Sequence, residues 1–243
     1  MTRAVAILRL LSRAAEPMGV KAIAAALDLV PSTALHILRV LVDEGLARVD
    51  ERKRYGLGNG LLALARTQLA RNRFAVEVQP ILDRVSRAWS VTAIGVDIES
   101  IDHMIVVALS RSQSPFRLHV DVGSRFPALI SATGRLVAAF GNETAEEVER
   151  RFRKLRWQSP PDVSSWRREV ETARRKRYAI DRGSYIAGVS VISVPVFDAH
   201  GKLAHSLVVA GVTSQIDAAR AKAIVDDLTD EGRRLSEVVH TAS

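Results

Sequence analysis

Cysteine is absent from this 243-residue chain, and its absence excludes several kinds of chemistry at once. Without thiols there can be no disulfide framework, no thiolate zinc site and no cysteine nucleophile. Runs of eighteen or more apolar residues are also missing, so we expect no membrane-spanning helix and a cytoplasmic protein. The segment 1–17 interrupts its apolar patch with arginines and has no small-residue cleavage pattern, which indicates an amphipathic helix rather than a signal peptide.

Motifs that mark catalytic, cofactor and metal sites are missing as well. The six histidines (36, 103, 119, 200, 205 and 240) show neither H-x-x-x-H nor H-E-x-x-H spacing, so we expect no histidine metal site. No G-x-S-x-G elbow or Walker motif occurs. The glycines of residues 55–60, YGLGNG, lack both the G-x-G-x-x-G spacing and a following βαβ unit. We therefore predict neither an enzyme nor a cofactor.

Positive charge is concentrated in the first third of the chain. Met1–Arg73 holds 12 Lys or Arg against 6 Asp or Glu, whereas the remaining residues hold 23 against 21. A local excess of cations is typical of a region that meets a polyanion; an arginine-rich surface serving only solubility is the competing interpretation. With 47% hydrophobic residues, the chain has enough apolar material for two folded domains.

The basic N-terminal part has the element order of a winged helix-turn-helix. Apolar residues recur at helical spacing in three segments, the last two joined by a three-residue turn. Two strand-like pieces then flank a charged turn, which predicts a hairpin, or wing. The predicted elements are helices over 3–15, 21–27 and 31–44 and strands over 46–49 and 55–58. We assign residues 1–60 to a DNA-binding domain and 61–73 to a linker helix.

The third predicted helix has one apolar face and one polar face. Ser32, His36 and Arg39 recur at i, i+4 and i+7 on the polar face, which in a helix-turn-helix enters the major groove. Arginine there can bind guanine or a phosphate, and hydroxyls near a helix N-terminus suit a phosphate oxygen. Capping hydroxyls on a solvated helix are the competing interpretation. The candidate DNA-binding residues are Lys21, Ser32, Thr33, His36, Arg39, Arg48, Arg52, Lys53 and Arg54, the last three on the hairpin turn.

Residues 74–243 alternate β-branched runs with helical segments, which predicts an α+β domain around an antiparallel sheet. The hairpin 191–209 is marked by its turn, DAHG at 198–201. No internal repeat or low-complexity segment occurs. The predicted strands cover 91–98, 103–109, 116–122, 189–197 and 203–212, and the predicted helices cover 74–90, 134–140, 143–155, 166–177 and 217–239.

Four stretches carry a family resemblance. Residues 19–46 fit a winged helix-turn-helix pattern, and three C-terminal stretches are more specific: VGSRFP with ATGR at 122–135, YAID at 178–181, and GV through VPVFD to Gly201 at 188–201. In their order and spacing they resemble the IclR family of bacterial transcriptional regulators over essentially the whole chain. The resemblance implies a GAF/PAS-like domain that binds a small organic effector, and homodimers that in some members pair into tetramers.

The resemblance also implies an effector site, at positions where this sequence departs from the family pattern. Val191 replaces a common polar or thiol residue, Val208 and Ala210 replace frequent hydroxyls, and Arg135 replaces a lysine. Gly183-Ser184 stands where an acidic pair is frequent, and His36 where an arginine is common. A site stripped of hydroxyls favours an aromatic acid or a related aromatic metabolite. The implied effector-binding residues are Ala132, Thr133, Asp181, Val191, Val208 and Ala210.

The sequence therefore predicts a DNA-binding regulator, by default a repressor, whose affinity for a pseudo-palindromic operator is controlled by a small acid. Two other readings stay open. The C-terminal domain could serve only assembly in a ligand-independent DNA-binding protein, or the chain could be an enzyme with a vestigial helix-turn-helix. Ligand-dependent operator affinity separates the first from the main prediction, and the missing catalytic constellation argues against the second.

Overall fold

Two units make up the chain, Met1–Arg71 and Asn72–Ser243, where the sequence predicts domains over 1–60 and 74–243 and a linker helix between them. The computed structural model describes residues 2–111, 118 and 120–240, without the side chains of 68–71, 239 and 240. Asn72 begins the second unit and caps its first helix, since its side-chain oxygen accepts a hydrogen bond from the Ala75 N–H at 2.9 Å.

The N-terminal unit contains the three predicted helices and the hairpin. Its elements are α1 (Thr2–Arg13), β1 (Met18–Gly19), α2 (Val20–Ala26), α3 (Pro31–Asp43), β2 (Ala47–Val49), β3 (Arg54–Leu57) and α4 (Gly60–Arg71). The two-residue strand β1 was not predicted, and it extends the hairpin to an antiparallel sheet of order β1-β3-β2. The apolar faces of α1, α2 and α3 meet in one core, in which Ile7, Ile23 and Leu38 are fully buried.

The glycine run 55–60 is the end of the wing and the start of α4, as its sequence context indicates. Gly58 passes so close to the preceding turn that a Cβ there would lie 2.2 Å from the carbonyl oxygen of Gly45. Close backbone packing therefore accounts for this glycine without a phosphate ligand.

The C-terminal unit is a six-stranded antiparallel sheet with helices on both faces. Its elements are α5 (Arg73–Trp89), β4 (Thr92–Ile98), β5 (His103–Ser110), β6 (Arg125–Pro127), α6 (Ser131–Phe140), α7 (Ala145–Phe152), α8 (Val163–Lys176), β7 (Ala179–Arg182), β8 (Val189–Phe197), β9 (Leu203–Val212) and α9 (Ala218–His240). The strand order is β6-β5-β4-β9-β8-β7. Helices α5 and α9 pack on one face; α6, α7 and α8 pack on the other.

Three parts of the predicted sheet need correction. Of the predicted strand 116–122, residues 116, 117 and 119 lie outside the described residues, and 118 and 120–122 are not in a strand. Strands β6 and β7 were missed because they are only three and four residues long and carry charged side chains. Helix α6 begins at Ser131, three residues before its predicted start.

An ion-pair cluster joins α5 to α9 within this unit. The Arg84 guanidinium binds Asp227 at 2.7 Å and Glu231 at 3.0 Å, and the Trp89 indole N–H donates to Asp227 at 2.8 Å. Burial alone would raise the pKa of the Asp227 carboxyl, but the hydrogen bonds from Arg84 and Trp89 outweigh it and hold that pKa below its ordinary value. The cluster therefore makes the fold sensitive to acid.

Replacing Asp227 by asparagine should lower the free energy of unfolding at pH 7 by roughly 1–3 kcal/mol, because Arg84 loses one of its two carboxylate partners and the Trp89 N–H loses a charged acceptor. A carboxyl with a lowered folded pKa contributes stability above its unfolded pKa, and that contribution is lost as pH falls through the folded value, so the difference should shrink below about pH 4. Urea unfolding at several pH values measures it. The matched control is Asp226→Asn, whose exposed carboxylate binds the surface Lys222. Equal losses in both variants would contradict the assignment.

Candidate functional site

Helix α3 presents the predicted polar face to solvent. Its inner side buries Ala34, Leu38 and Leu41 in the core, while Ser32, His36 and Arg39 are exposed. The N-cap is Val30, which makes no side-chain cap, and Pro31 occupies the first turn, where a missing N–H has no cost. Capping therefore does not account for Ser32 and Thr33, and their hydroxyls are left for another role.

The connection between α2 and α3 has helix-turn-helix geometry. The two helix axes are bent by 111° at the break, within the range of this motif. Asp28 adopts a left-handed φ of 51°, and the Leu29 N–H donates to the Ala24 carbonyl at 2.9 Å, which closes the turn. A fixed turn of this kind orients α3 relative to the rest of its unit.

The wing turn is organised by one carboxylate. Asp50 accepts hydrogen bonds from the backbone N–H of Arg54 at 2.8 Å and of Arg52 at 3.0 Å, and these bonds, with the Arg54 guanidinium, hold the pKa of Asp50 below its ordinary value. Arg54 departs from its predicted place on the turn: it begins β3, is half-buried and binds Asp50 at 2.9 Å. Arg52 and Lys53 are left as the exposed cations of the tip.

The other predicted DNA-binding residues also lie in the N-terminal unit. Lys21 is exposed in the first turn of α2, and Arg48 is exposed on β2. Thr33 is half-buried, next to the exposed Ser32. Sequence reasoning overlooked Val30, which is 65% exposed just before α3 and places an apolar side chain beside the polar face. The sequence feature that could have identified Val30 is a β-branched apolar residue directly before Pro31, at the start of the helix.

A cavity of about 290 Å³ lies between the C-terminal sheet and the start of α6. Alternation along β4 and β9 creates it: Ala93 and Val209 pack toward α5, whereas Ile94 and Val208 face the cavity side. The walls are mainly aliphatic, with three hydroxyl groups among them. The lining residues are Ile94, Val96, Met104, Val106, Leu118, Val120, Phe126, Ile130, Ser131, Thr133, Tyr185, Ile186, Val189, Val191, Val208 and Ala210.

Polar groups of the cavity gather at the N-terminus of α6. Ser131 has a left-handed φ of 53°, and its hydroxyl is buried without a hydrogen-bond partner among the described residues. Thr133 is satisfied instead, because its hydroxyl bonds to Ser193 at 3.1 Å. Gly134 lets this turn sit on the preceding backbone, since a Cβ would lie 2.0 Å from the Leu129 carbonyl oxygen. The turn therefore presents free backbone N–H groups and one unsatisfied hydroxyl.

Four of the six residues implied by the resemblance line this cavity: Thr133, Val191, Val208 and Ala210. Ala132 is fully buried in a different cluster, with α7 and α8, and does not line the cavity. Sequence reasoning missed Ser131 and Tyr185. Burial raises the pKa of the Tyr185 phenol above its ordinary value. Nothing in the sequence distinguishes these two hydroxyls from surface ones.

Asp181, the sixth residue, is placed behind the cavity wall rather than in it. Its carboxylate is 1% exposed and accepts hydrogen bonds from the backbone N–H groups of Ser184 and Tyr185 at 3.1 and 3.2 Å. The guanidinium of Arg135, itself 2% exposed, lies 3.7 Å away. Arg135 also donates to Glu169 at 2.7 Å and to the Ser131 carbonyl at 2.6 Å. This network joins the start of α6 to the loop that carries Tyr185.

Other kinds of site find little support in the described part of the chain. It contains no group of three His, Asp or Glu residues that could hold a metal ion. No single described helix is long and apolar enough to cross a membrane; α2 and α3 reach that length and composition only when joined across their bend.

Comparisons with known proteins agree with both units. The IclR helix-turn-helix domain matches residues 1–51, and the bacterial transcriptional regulator IclR C-terminal domain matches 67–237. The HTH-type transcriptional repressor AllR of Salmonella typhimurium LT2 is 24% identical over 223 residues, 89% of this chain and 80% of that protein.

Solved structures share the fold over the full length. An IclR transcriptional regulator from Alicyclobacillus acidocaldarius has a TM-score of 0.84 at 26% identity, covering 98% of this chain and 97% of that one. An IclR homolog from Microbacterium hydrocarbonoxydans, crystallised with 4-hydroxybenzoate, has a TM-score of 0.82 at 20% identity, covering 99% and 98%. The families matched by the two domains consist of transcriptional regulators rather than enzymes. This excludes the alternative of an enzyme with a vestigial helix-turn-helix. The chain belongs to the IclR family of bacterial transcriptional regulators.

Proposed function

We propose that the chain represses transcription in the cytoplasm by inserting α3 into the major groove of an operator and releasing it when a small aromatic acid fills the cavity. The observation that carries the DNA-binding half is the exposed Ser32, His36 and Arg39 face, opposite the buried Leu38. The wing cations Arg52 and Lys53 would contact phosphates. Repression, rather than activation, is supported by the AllR relative.

Gel-shift titration with the DNA upstream of the chain's own gene, at two salt concentrations, tests this half. Specific binding should exceed binding to random duplex of the same length, and both should weaken as salt rises. No preference for the upstream DNA would count heavily against the proposal.

The cavity supports a single-ring aromatic acid as the effector. Aliphatic walls suit a ring, and about 290 Å³ lies at the lower end of the range of small-molecule sites. The carboxylate would lie at the N-terminus of α6, where free backbone N–H groups and the helix dipole favour an anion and the Ser131 hydroxyl lacks a partner. The 4-hydroxybenzoate bound to the Microbacterium homolog belongs to this chemical class.

Within this proposal Asp181 and Ala132 act indirectly. Asp181 would position the Tyr185 loop and Arg135, and Ala132 would contribute its backbone N–H. Thr133, Val191, Val208 and Ala210 would contact the ligand. A cavity of this kind also favours ligand sensing over the alternative in which the C-terminal unit serves only assembly.

Assembly as a homodimer, with tetramers as a further step, is part of the proposal. Leu62 and Leu64 on α4 are 68% and 63% exposed, and Val5 on α1 is 43% exposed. Apolar side chains of this size on two helices of the N-terminal unit are what a partner subunit would cover. A dimer would present two α3 helices to successive major grooves.

Ser131→Gly should weaken binding of 4-hydroxybenzoate roughly 10- to 150-fold, because a charge-assisted hydrogen bond contributes about 1.5–3 kcal/mol. The ligand-free protein should keep its stability, since the hydroxyl has no partner among the described residues and glycine accepts the left-handed φ. Isothermal calorimetry and thermal unfolding measure the two effects.

The control is Ser190→Ala, which removes a buried hydroxyl that bonds to Thr213. It should leave the affinity for 4-hydroxybenzoate unchanged. Stabilisation of the wild-type protein by small aliphatic keto acids but by no aromatic acid would overturn the proposed effector class.

A further inference from the structure

A second cleft, of about 540 Å³, lies between the end of α8, the β8–β9 hairpin and α9. It shares no lining residue with the apolar cavity, and its walls carry charged side chains where those of the cavity are mainly aliphatic. Four cations line it, Arg175, Lys176, Arg177 and Arg233, against the single carboxylate of Glu237. Arg233 also lies 3.5 Å from the Asp230 carboxylate, so the cleft carries a local excess of two positive charges.

Several other arginines of this unit are neutralised by carboxylates. On α7 and α8, Glu149 binds both Arg153 and Arg167, and Glu171 binds Arg174. Arg175, Lys176 and Arg177 differ, because none of them forms an ion pair with a described carboxylate. Three adjacent cations without a counter-charge repel one another unless an anion lies between them. The helix dipole favours cations at the end of α8, but it does not account for a concave site lined by them.

Local contacts hold two of the cations, Lys176 and Arg177, at the cleft wall. The Arg177 guanidinium lies 4.7 Å from the centroid of the Phe197 ring, and its left-handed φ of 57° turns the chain at the end of α8. Lys176 lies 5.8 Å from the Tyr178 ring. On the α9 side, the Thr229 hydroxyl is buried without a hydrogen-bond partner among the described residues. Contacts with aromatic rings therefore position Lys176 and Arg177 at this wall, and the cations of the cleft remain exposed to solvent.

We propose that this cleft binds a compact phosphate-bearing anion, as a second ligand site separate from the apolar cavity. Guanidinium forks match phosphate oxygens bidentately, and an excess of two positive charges matches a multiply charged phosphate group better than a monocarboxylate. The volume is that of a small-molecule site, and its walls come from α8, the β8–β9 hairpin and α9, which favours a small ligand over a duplex.

Isothermal calorimetry on the full-length protein at constant ionic strength tests the site with orthophosphate, pyrophosphate and ADP. Pyrophosphate should bind saturably, one per chain, and more tightly than orthophosphate. Equal binding of ADP and pyrophosphate would identify the diphosphate group as the recognised feature, and tighter binding of ADP would identify a nucleotide. The double variant Arg175→Gln/Arg233→Gln should lose at least about tenfold in affinity, since each change removes a charge-assisted hydrogen bond.

The charge-matched control is Arg87→Gln/Arg168→Gln, which removes two exposed arginines outside the cleft. It should bind pyrophosphate as the wild type does. Absence of saturable binding at millimolar pyrophosphate, or an equal loss in both double variants, would overturn the site. Binding of random duplex DNA that is weakened by the cleft variant, without any pyrophosphate binding, would assign these cations to DNA and overturn it as well. Operator binding and 4-hydroxybenzoate binding are separate readouts, so failure here leaves the proposed function intact.

Discussion

Replacing Arg135 by methionine should lower the free energy of unfolding by about 3–5 kcal/mol, the usual cost of leaving one member of a buried charge pair uncompensated. Asp181, only 1% exposed, would keep two backbone hydrogen bonds but lose its nearby cation, and the Ser131 carbonyl would lose a donor. Urea unfolding monitored by tryptophan fluorescence measures the change. The variant should also lose stabilisation by 4-hydroxybenzoate, because the start of α6 is no longer held.

Two further variants make this result specific. Arg168→Met, on the exposed side of α8, should change stability little, because its guanidinium bonds to Ser164 and Ser165 on the same surface and pairs with no described carboxylate. Adding Asp181→Asn to Arg135→Met should recover part of the loss, since no buried charge is then unpaired. Losses that simply add in the double variant would mean that Arg135 and Asp181 do not act as a pair.

Arg39→Ala and Arg52→Ala should weaken DNA binding in different ways. Loss of a bidentate base contact costs about 1–3 kcal/mol, so Arg39→Ala should weaken the operator complex roughly 5- to 150-fold and leave binding to random duplex almost unchanged. Loss of a phosphate contact weakens both complexes, and Arg52→Ala should reduce the slope of log affinity against log salt by about 0.9. Fluorescence anisotropy with both duplexes at several salt concentrations measures these effects.

Arg153→Ala, at the residue that follows α7 in the other unit, is the control and should bind both duplexes as the wild type does. Equal weakening of specific and random complexes by Arg39→Ala would mean that Arg39 contacts phosphate rather than a base. A salt slope unaffected by Arg52→Ala would remove the wing tip from the interface.

Local patterns in the sequence predicted most of the fold. Strands β8 and β9 were predicted at their observed bounds, because each has a long β-branched run and the five residues 198–202, which include the turn DAHG, join them. Helix α3 was predicted within one residue at its C-terminus, because Pro31 opens it and its apolar spacing is regular. Strand β7 was missed because it has only four residues, two of them charged, and therefore lacks a strand pattern of its own. It is a strand because it pairs with β8, which is a tertiary contact.

The site was less predictable than the fold. The polar face of α3 follows from helical spacing alone, and it is exposed as expected. The role of Arg135 depends on Asp181, which is distant in sequence, and the unsatisfied hydroxyl of Ser131 depends on where the surrounding backbone lies. Arg54 was misplaced because a run of three cations does not reveal that Asp50 binds the third. These features arise from tertiary structure rather than from local sequence.

The central claim is that an acid in the apolar cavity controls operator affinity, and one titration tests it most directly. Fluorescence anisotropy of the labelled upstream duplex, at fixed salt with and without saturating 4-hydroxybenzoate, reports the coupling between the two sites. A coupling free energy of about 1–3 kcal/mol predicts that the ligand weakens operator binding roughly 5- to 150-fold. Unchanged operator affinity, under conditions where calorimetry shows the cavity occupied, would contradict the account.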